Sequence, residues 1–408
     1  MLAGKHILVG ISGGIAAYKI PELIRLMKKA GAEVRVTTTK NALEFVTELT
    51  LRTVSGAPVY SDVFAAINEH STEHISLPDW ADVMVIAPAT ANVLGKMACG
   101  IADDALTTTF CATAACKPVV IAPAMNNKMY ECPATRQAIA TLSSWDRVTV
   151  LDCAEGELAC GTSGKGRMQE PENIFTVVEY ILSEKDLAGR RLVITAGPTQ
   201  EKIDPVRFIS NYSTGKMGCA LAHRAWMRGA DVTLILGPSQ VPVRDLSDFP
   251  NRLQVVRVVS AYDMYAAAKE AFLDADAAVL SAAVADFAPC QTADRKIKKT
   301  AGQDSWTLEM KTTTDIAAAL GQTKRADQRL VGFALETNNE RDNALKKMRE
   351  KHLDAIVLNS LQDAGAGFGY DTNRVTIFLA DGQEKNYPLL PKEAVADIIL
   401  DNLSVSLS

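Results

Sequence analysis

The sequence predicts an α/β protein built from two open, mainly parallel three-layer sheets that follow one another along the chain. Three observations carry that expectation. Short apolar runs alternate with stretches of helical period, which is the order of parallel strands joined by crossover helices. The opening Lys5-His-Ile-Leu-Val-Gly-Ile-Ser-Gly-Gly14 is echoed in outline by Arg191-Leu-Val-Ile-Thr-Ala-Gly-Pro198, each an apolar strand running into a glycine-bearing turn. At 408 residues the chain is long for one core, since single cores stop growing near roughly 250–300 residues.

Taken in order, apolar runs predict strands at 6–11, 33–38, 83–87, 118–122 and 147–151, and period-3.6 stretches between them predict helices at about 15–30, 41–50, 91–99 and 131–143. Pro171 to Ser183 reads as a closing helix, and the charged Ser183-Glu-Lys-Asp-Leu-Ala-Gly189 stretch leads into the second start. The domains are therefore expected to be 1–186 and 187–408. In the second, strands are expected at 191–196, 231–236, 254–259, 277–282, 330–335 and 354–359, with helices near 216–229, 261–273, 314–321 and 339–351. Residues 287–311 break this rhythm with Pro289, many lysines and few apolar anchors, so they read as an exposed functional loop or ribbon.

Composition narrows the function. The chain is 48% hydrophobic and 22% charged, and no apolar run approaches the roughly 18–20 residues of a membrane span. The N-terminus enters a strand directly, without a secretory signal, so a cytoplasmic address is expected. The eight cysteines then read as thiols, and with no C-x-x-C pair and no histidine at zinc spacing they give no structural metal site. A net charge of −5 offers no general attraction for nucleic acid, which points to a metabolite as ligand.

The first turn, Gly10-Ile-Ser-Gly-Gly14, does not match G-x-G-x-x-G, and the second strand ends in Thr37-Thr-Thr-Lys40 where a dinucleotide fold wants an acid. Hydroxyls and a cation suit a phosphate better than a ribose diol, so FMN outranks NAD as cofactor. Strands 83–87 and 118–122 end in Ala87-Pro-Ala-Thr-Ala-Asn92 and Ala122-Pro-Ala-Met-Asn126. Carboxyl ends of neighbouring parallel strands line one crevice, so Asn92 and Asn126 are both candidates to offer amides to a ligand. Glu73-His74-Ile-Ser-Leu and the glycine-rich flap Gly156-Glu-Leu-Ala-Cys-Gly-Thr-Ser-Gly-Lys-Gly-Arg-Met168 add a histidine and a cysteine of chemical character.

These segments, in this order, resemble the flavin-dependent cysteine decarboxylases, in particular the phosphopantothenoylcysteine decarboxylase family of coenzyme A synthesis, over nearly all of residues 1–185. The resemblance implies a flavodoxin-like domain holding FMN through Ser12, Gly13, Gly14, Thr38, Pro88, Ala89, Thr90 and Asn92. It also implies His74 as base, Asn126 as binder of the substrate carboxylate and Cys160 as proton donor. The chemistry explains these types. Loss of CO2 from a simple N-acyl cysteine leaves an unstabilised carbanion, whereas oxidation at the thiol-bearing carbon gives a thioaldehyde beside which CO2 departs readily, leaving an enethiolate. Re-reduction then needs a proton donor.

In the second half, Gly215-Lys216 invites a P-loop reading that fails, because Ser210 and Met217 stand where Gly and Ser or Thr are required. Asn211 instead precedes a helix N-terminus, and strand 277–282 leads through Ser281-Ala-Ala-Val-Ala-Asp286 to Lys296-Ile-Lys-Lys299. Lys296 and Lys298 share a face if extended, suiting a polyphosphate, and Asp286 is a candidate for Mg2+ or a sugar hydroxyl.

The ordered set Ala-Gly-Pro-Thr, Asp-Pro-Val-Arg207, Ile-Ser-Asn211, Ser-x-Gly-Lys-Met-Gly218, Ala-Ala-Val-Ala-Asp286, Lys-Ile-Lys-Lys299 and Gly-Phe-Ala-x-Glu336 resembles the phosphopantothenate-cysteine ligase family, with a Rossmann-like domain. The resemblance implies that Asn211 and Lys296 act on an acyl-nucleotide intermediate. It places Ser281, Ala282, Asp286, Lys296, Thr314, Asp315, Ile316, Ala317, Phe333, Lys347 and Lys351 around the nucleotide. Fused members use CTP with magnesium to join cysteine to 4'-phosphopantothenate, and the phosphopantothenoylcysteine formed is what the first domain consumes. The family further implies homo-oligomers, trimers of the flavin domain and dimers of the ligase domain. A two-domain NAD(P) oxidoreductase is disfavoured by the missing fingerprint, and a non-enzymatic flavin-binding regulator by Cys160 and the complete second half.

Overall fold

Val, Ile and Leu fill His6–Ile11, and this strand, β1, is buried from its second residue onward because both its faces are covered. The structure is a computed structural model that describes residues 2–64, 72–157, 163–243, 252–298, 305–336, 338–360, 367 and 369–407. It divides into two compact units, Met1–Ser183 and Glu184–Ser408. Glu184 onward goes with the second unit because Leu187 is buried and Asp186 pairs with Arg228 at 2.5 Å.

In the first unit β1 is joined by β2 (Glu33–Thr38), β3 (Val59–Tyr60), β4 (Val83–Ala89), β5 (Val119–Pro123) and β6 (Val148–Val150), in the order β3-β2-β1-β4-β5-β6 and all parallel. Without the two-residue edge strand β3, the remaining five taken in chain order run 2-1-3-4-5, the flavodoxin arrangement. The order reverses between β1 and β4, which opens a crevice at their carboxyl ends. The helix Ile20–Lys29 packs on the sheet through Ile20, Leu23, Ile24 and Met27, the stripe that a 3.6-residue period predicts. A hairpin follows the sheet, β7 (Ala154–Glu157) with β8 (Ser163–Arg167), before the closing helix Pro171–Leu182.

Besides the one-turn helix Asn127–Tyr130, two helices of this unit have no counterpart in the sequence expectation. Ala105–Ala114 is rich in threonine, a β-former, yet Asp104 and Thr107 close a capping box and the Thr109 and Thr113 hydroxyls donate to carbonyls four residues back, both at 2.7 Å. Glu73–Trp80 carries an internal Pro78 and lacks an amphipathic stripe, so its period was not readable. The stretch expected as helix at 41–50 is a 3-10 turn, Lys40–Glu44, followed by the helix Glu48–Ser55 that Thr47 caps.

The second unit contains β9 (Arg191–Ala196), the hairpin β10 (Gln200–Lys202) and β11 (Phe208–Ser210), then β12 (Asp231–Leu236), β13 (Leu253–Arg257), β14 (Ala277–Leu280), the ribbon β15 (Phe287–Pro289) and β16 (Met310–Thr312), and β17 (Arg329–Glu336). It ends with β18 (Ala355–Ser360), β19 (Thr372–Asn373), β20 (Val375–Leu379), β21 (Glu384–Asn386), β22 (Leu390–Pro391) and the helix Lys392–Leu407. Its main sheet runs β13-β12-β9-β14-β17-β18-β20-β21, parallel through β18 and antiparallel at the β20 and β21 edge. The switch point lies between β9 and β14. Nothing was expected past residue 359, but Val395, Ala396, Ile399, Leu400 and Leu403 are buried at helical spacing, so the last helix was legible.

Candidate functional sites

At the switch point of the first unit a cleft of about 1190 Å3 is lined by Gly13, Gly14, Thr39, Thr90, Asn92 and Asn126, among other residues. Ser12, wholly buried, ties the two strand ends that shape it. Its Oγ donates to the Pro88 carbonyl (2.7 Å) and accepts from the Thr90 N–H (3.0 Å), and Ala87–Pro88 is cis. Ser12, Pro88 and Ala89 therefore shape the cleft from behind it. Thr37 and Thr38, with no exposure, and Thr39 each carry a buried hydroxyl oxygen with no hydrogen-bond partner. Buried hydroxyls are seldom left that way. Of the three, Thr39 lines the cleft, and its buried hydroxyl fits a ligand that brings hydrogen-bonding groups of its own.

Asn126 also serves as a helix cap, its Oδ1 accepting from the Lys128 N–H at 2.9 Å. The flap rests on the segment it belongs to. The Met125 N–H donates to the Gly166 carbonyl (2.9 Å), and Gly166, at φ +149°, lies where a Cβ would come 2.3 Å from the Met125 carbonyl oxygen. Only glycine admits that approach. Cys160 lies outside the described residues. His74 sits on the helix Glu73–Trp80, away from the cleft lining, with a buried Nδ1 that has no hydrogen-bond partner.

The charges at this cleft are paired, and sequence reasoning missed the pairs. Glu170 receives Lys19 and Arg167, each at 2.7 Å, and these partners, Lys19 first, hold its carboxyl below its ordinary value against the opposing effect of burial. Lys96 reaches Asp103 (2.7 Å) and Asp104 (3.3 Å), and Lys40 reaches Asp62 (3.5 Å). Residue spacing gave no sign of the Lys19–Glu170 contact, which spans 151 positions.

In the second unit the segments after β9 and β14 are laced together. Ser281 Oγ donates to the Thr195 carbonyl (2.6 Å), the Ala285 N–H to Thr199 Oγ1 (3.0 Å), and the Asn211 amide to the Ala283 carbonyl (2.8 Å). The helix Lys216–Met227 enters so closely that a Cβ on Gly218 would lie 2.4 Å from Ala196 Cβ and 2.5 Å from Ser281 Oγ. Ala282 lies on this lacing, its N–H donating to Thr195 Oγ1 at 3.3 Å.

Of the other expected nucleotide contacts, Asp315 caps the helix Ile316–Thr323 and pairs with Lys351 at 2.9 Å. Burial raises the Asp315 carboxyl, but the Ala318 N–H and the Lys351 ammonium outweigh it and leave the group below its ordinary value. Thr314 and Ala317 flank this cap, Ile316 is buried in the core, Phe333 is on β17 and Lys347 is half-buried on the helix Glu340–Glu350. Asp286 is exposed and its carbonyl accepts from the Thr313 N–H (2.9 Å). Among the described residues no group of three or more His, Cys, Asp or Glu gathers to hold a metal. Lys296 and Lys298 are exposed, and among the described residues neither has a carboxylate at ion-pair distance.

One contact set here was unforeseen. Asp204, 2% exposed, accepts from the N–H groups of Val206 (2.8 Å), Arg207 (2.9 Å) and Ile297 (3.1 Å), and from Arg207 Nε (3.0 Å) and NH2 (2.5 Å). Arg207 NH2 also donates to the Ile297 carbonyl at 2.9 Å. The Arg207 guanidinium first, with the amide donors, holds the Asp204 carboxyl far below the usual carboxylate range.

Among the described residues no helix is long and apolar enough to cross a membrane. Residues 1–183 match the family Flavoprotein, and residues 187–406 match the DNA/pantothenate metabolism flavoprotein C-terminal domain. The chain is 46% identical over 408 residues to the coenzyme A biosynthesis bifunctional protein CoaBC of Bacillus subtilis (strain 168), covering 99% of this chain and 98% of that protein. It is 41% identical over 404 residues to the protein of the same name from Escherichia coli (strain K12), covering 98% and 97%. It is also 49% identical over 360 residues, 87% of this chain and 98% of the other, to a cysteine/cysteine sulfinic acid decarboxylase from an unknown prokaryotic organism.

Proposed function

The chain belongs to the family of bifunctional coenzyme A biosynthesis proteins, and from that premise we propose that residues 187–408 join cysteine to 4'-phosphopantothenate using CTP, and that residues 1–186 decarboxylate the product to 4'-phosphopantetheine. The observation that carries this reading is the near-full-length likeness, which spans both units, each with its own crevice at a topological switch point.

The residues of the first cleft fit FMN, because the buried, unpartnered Thr39 hydroxyl stands in the lining of a cleft of flavin-holding size. The chemistry supplied by bound FMN is a reversible two-electron sink. Thr39 would meet its polar groups, with Gly13, Gly14, Thr90 and Asn92 along its length and Thr38, Ser12, Pro88 and Ala89 as the frame. We assign Asn126 to hold the substrate carboxylate, His74, which is not part of this chain's cleft lining, to take a proton in the oxidative half, and Cys160 to return one in the reductive half. The flap that carries Cys160 is anchored at Gly166 beside Asn126, which supports their joint service of one substrate.

In the second crevice the phosphopantothenate carboxylate attacks the α-phosphorus of CTP, forming an acyl-cytidylate and releasing pyrophosphate. The cysteine amine then attacks the acyl carbon and CMP departs. Lys296, helped by Lys298, offsets negative charge developing on the phosphoryl oxygens, and Asn211 orients the acyl group. Asp286 is assigned to Mg2+ on the triphosphate, in keeping with the magnesium habit of one or two carboxylates plus phosphate oxygens. Ser281, Ala282, Phe333, Lys347, Lys351 and the Thr314–Ala317 turn surround the nucleotide. Trimers of the first unit and dimers of the second complete the proposal; exposed Ile15, Tyr18, Phe64 and Met129 at the first cleft support self-association there.

The test is direct. A yellow protein supplied with phosphopantothenate, cysteine, CTP and Mg2+ should release pyrophosphate and then CO2. A colourless protein that takes up no added FMN refutes the flavin half, and pyrophosphate release with ATP but not CTP refutes the nucleotide. Free cysteine in place of phosphopantothenoylcysteine should give little CO2; equal turnover would favour the activity named for the 49% identical relative. Cys160→Ser should still release CO2 but stall before phosphopantetheine.

A further inference from the structure

We propose that Asp204 is a positioning residue of the ligation site, acting through Arg207 and the backbone of Ile297 to fix Lys296. The inference rests on the ligase reading above and gives a role to a residue that neither the motifs nor the resemblance assigns one.

A tight turn needs far fewer bonds than Asp204 makes. Its carboxylate is 2% exposed and takes three backbone N–H groups and two guanidinium donors. A buried carboxylate is tolerated only when its acceptor capacity is met, and here it is. Four of these five donors belong to the Asp204–Arg207 turn itself. The Ile297 N–H is the fifth, and it comes from 93 positions away in sequence; the Arg207 NH2 that serves Asp204 also holds the Ile297 carbonyl, 90 positions away. Gripping both the N–H and the C=O of one residue fixes its two peptide planes. Those planes set the direction in which the flanking side chains of Lys296 and Lys298 leave the backbone.

Little else anchors this stretch. Lys296 and Lys298 are exposed, Ile297 is half-buried, and the segment lies in no strand. Two further bonds tie its approach to the same hairpin, the Ala293 N–H to the Ile203 carbonyl (3.0 Å) and Thr292 Oγ1 to the Lys202 carbonyl (3.3 Å). A lysine on a loose loop must be ordered each time the nucleotide binds, whereas one whose backbone is already held loses only side-chain freedom. Because the Asp204 carboxyl is held far below its ordinary value, this clamp stays charged at any pH where the reaction runs.

The experiment compares wild type, Asp204→Asn, Lys296→Ala and the double variant, reading CTP-dependent pyrophosphate release with phosphopantothenate. In Asp204→Asn the new amide hydrogens face Arg207 and the Ile297 N–H, so the clamp opens. Its kcat should fall about 10- to 100-fold, the cost of an ångström-scale misplacement, with KM for CTP changed less. The double variant should be no slower than Lys296→Ala within about threefold, since Asp204 works through that lysine. Trypsin should cut after Arg295, Lys296 or Lys298 several times faster in Asp204→Asn. Decarboxylation of supplied phosphopantothenoylcysteine should be unchanged, which shows the chain is folded. Losses that multiply in the double variant, or wild-type kcat in Asp204→Asn, overturn the proposal. If Asp204→Asn is insoluble, Arg207→Lys, which lacks the second donor to Ile297, must show the same non-additivity. If wild type itself releases no pyrophosphate, the ligase reading fails, and unchanged trypsin cleavage in Asp204→Asn then separately refutes the clamp.

Discussion

Replacing Thr39 by valine should move stability and flavin affinity in opposite directions. Thr39 is buried in the cleft lining, and its hydroxyl oxygen has no partner. An unsatisfied buried hydroxyl costs roughly 1–3 kcal/mol. Valine keeps the β-branched shape that suits the extended backbone just after β2 and removes the polar atom. The apoprotein should therefore gain about 1 kcal/mol, taking the lower end of that range. For a unit the size of Met1–Ser183, this raises the apo melting midpoint by about 2–4 °C. Loss of a bond to a charged phosphoryl group instead costs about 1.5–3 kcal/mol, so FMN should bind about 10- to 150-fold more weakly. Differential scanning fluorimetry on flavin-stripped protein reads the first quantity, and titration of flavin fluorescence reads the second. An apoprotein that melts lower, with unchanged FMN affinity, would show that Thr39 has a partner in the empty state and none in the bound one, and the cofactor assignment would lose its main physical support.

Gly166→Ala should lower decarboxylation at least tenfold and spare ligation, because a Cβ there meets the Met125 carbonyl at 2.3 Å at a φ of +149° and must lift the flap; separate assays of CO2 and pyrophosphate decide it. Gly218→Ala should destabilise the second unit by about 1–3 kcal/mol through overpacking, since the added carbon lies 2.4 Å from Ala196 Cβ; an unchanged urea midpoint would refute the close approach. Asp186→Asn tests a pH dependence. Arg228 donates to Asp186 through Nε at 2.9 Å and NH2 at 2.5 Å, and these bonds hold its carboxyl below the ordinary 3.8 against burial. A depressed carboxyl stabilises the fold above its unfolded value and loses that contribution as pH falls through its folded value. The variant should thus be weaker by about 1 kcal/mol at neutral pH, and the gap should close in acid below the ordinary 3.8; a gap constant from pH 7 to pH 3 contradicts the pairing.

Strands buried on both faces were the most legible elements, because a continuous apolar run admits few other fates: β1, β4, β5 and β9 lie within a residue or two of their expected places. Ala105–Ala114 was hidden because threonine composition argues for strand while a capping box and back-bonded hydroxyls argue for helix, and the latter depend on rotamers that composition does not show. The cleft was legible as strand ends, so Asn92 and Asn126 fall into one lining. What could not be read was how side chains are spent. Ser12 looked like a ligand contact, yet its hydroxyl is committed to Pro88 and Thr90, 76 and 78 positions on. Asp204 stood in a motif without a role because its work is done on Ile297.

The two crevices differ in a way that matches their proposed ligands. In the first, Lys19, Lys40, Lys96 and Arg167 each face a carboxylate at 3.5 Å or less, so a phosphate entering there competes with anions already in place. Neutral hydroxyls are the groups left wanting, and they suit a resident cofactor with one phosphate and many carbonyl and hydroxyl groups. In the second, Lys351 is paired with Asp315 at 2.9 Å, but Lys296 and Lys298, which we assign to the nucleotide, have no carboxylate within reach among the described residues, while Asp204 is fully occupied by its own arginine and amides. Exposed lysines without counter-ions are solvated and free to meet an incoming anion, which suits a triphosphate that comes and goes with every turnover. By the same logic, salt should weaken nucleotide binding in the second crevice more than flavin binding in the first, since exposed unpaired charges are the ones that ions screen.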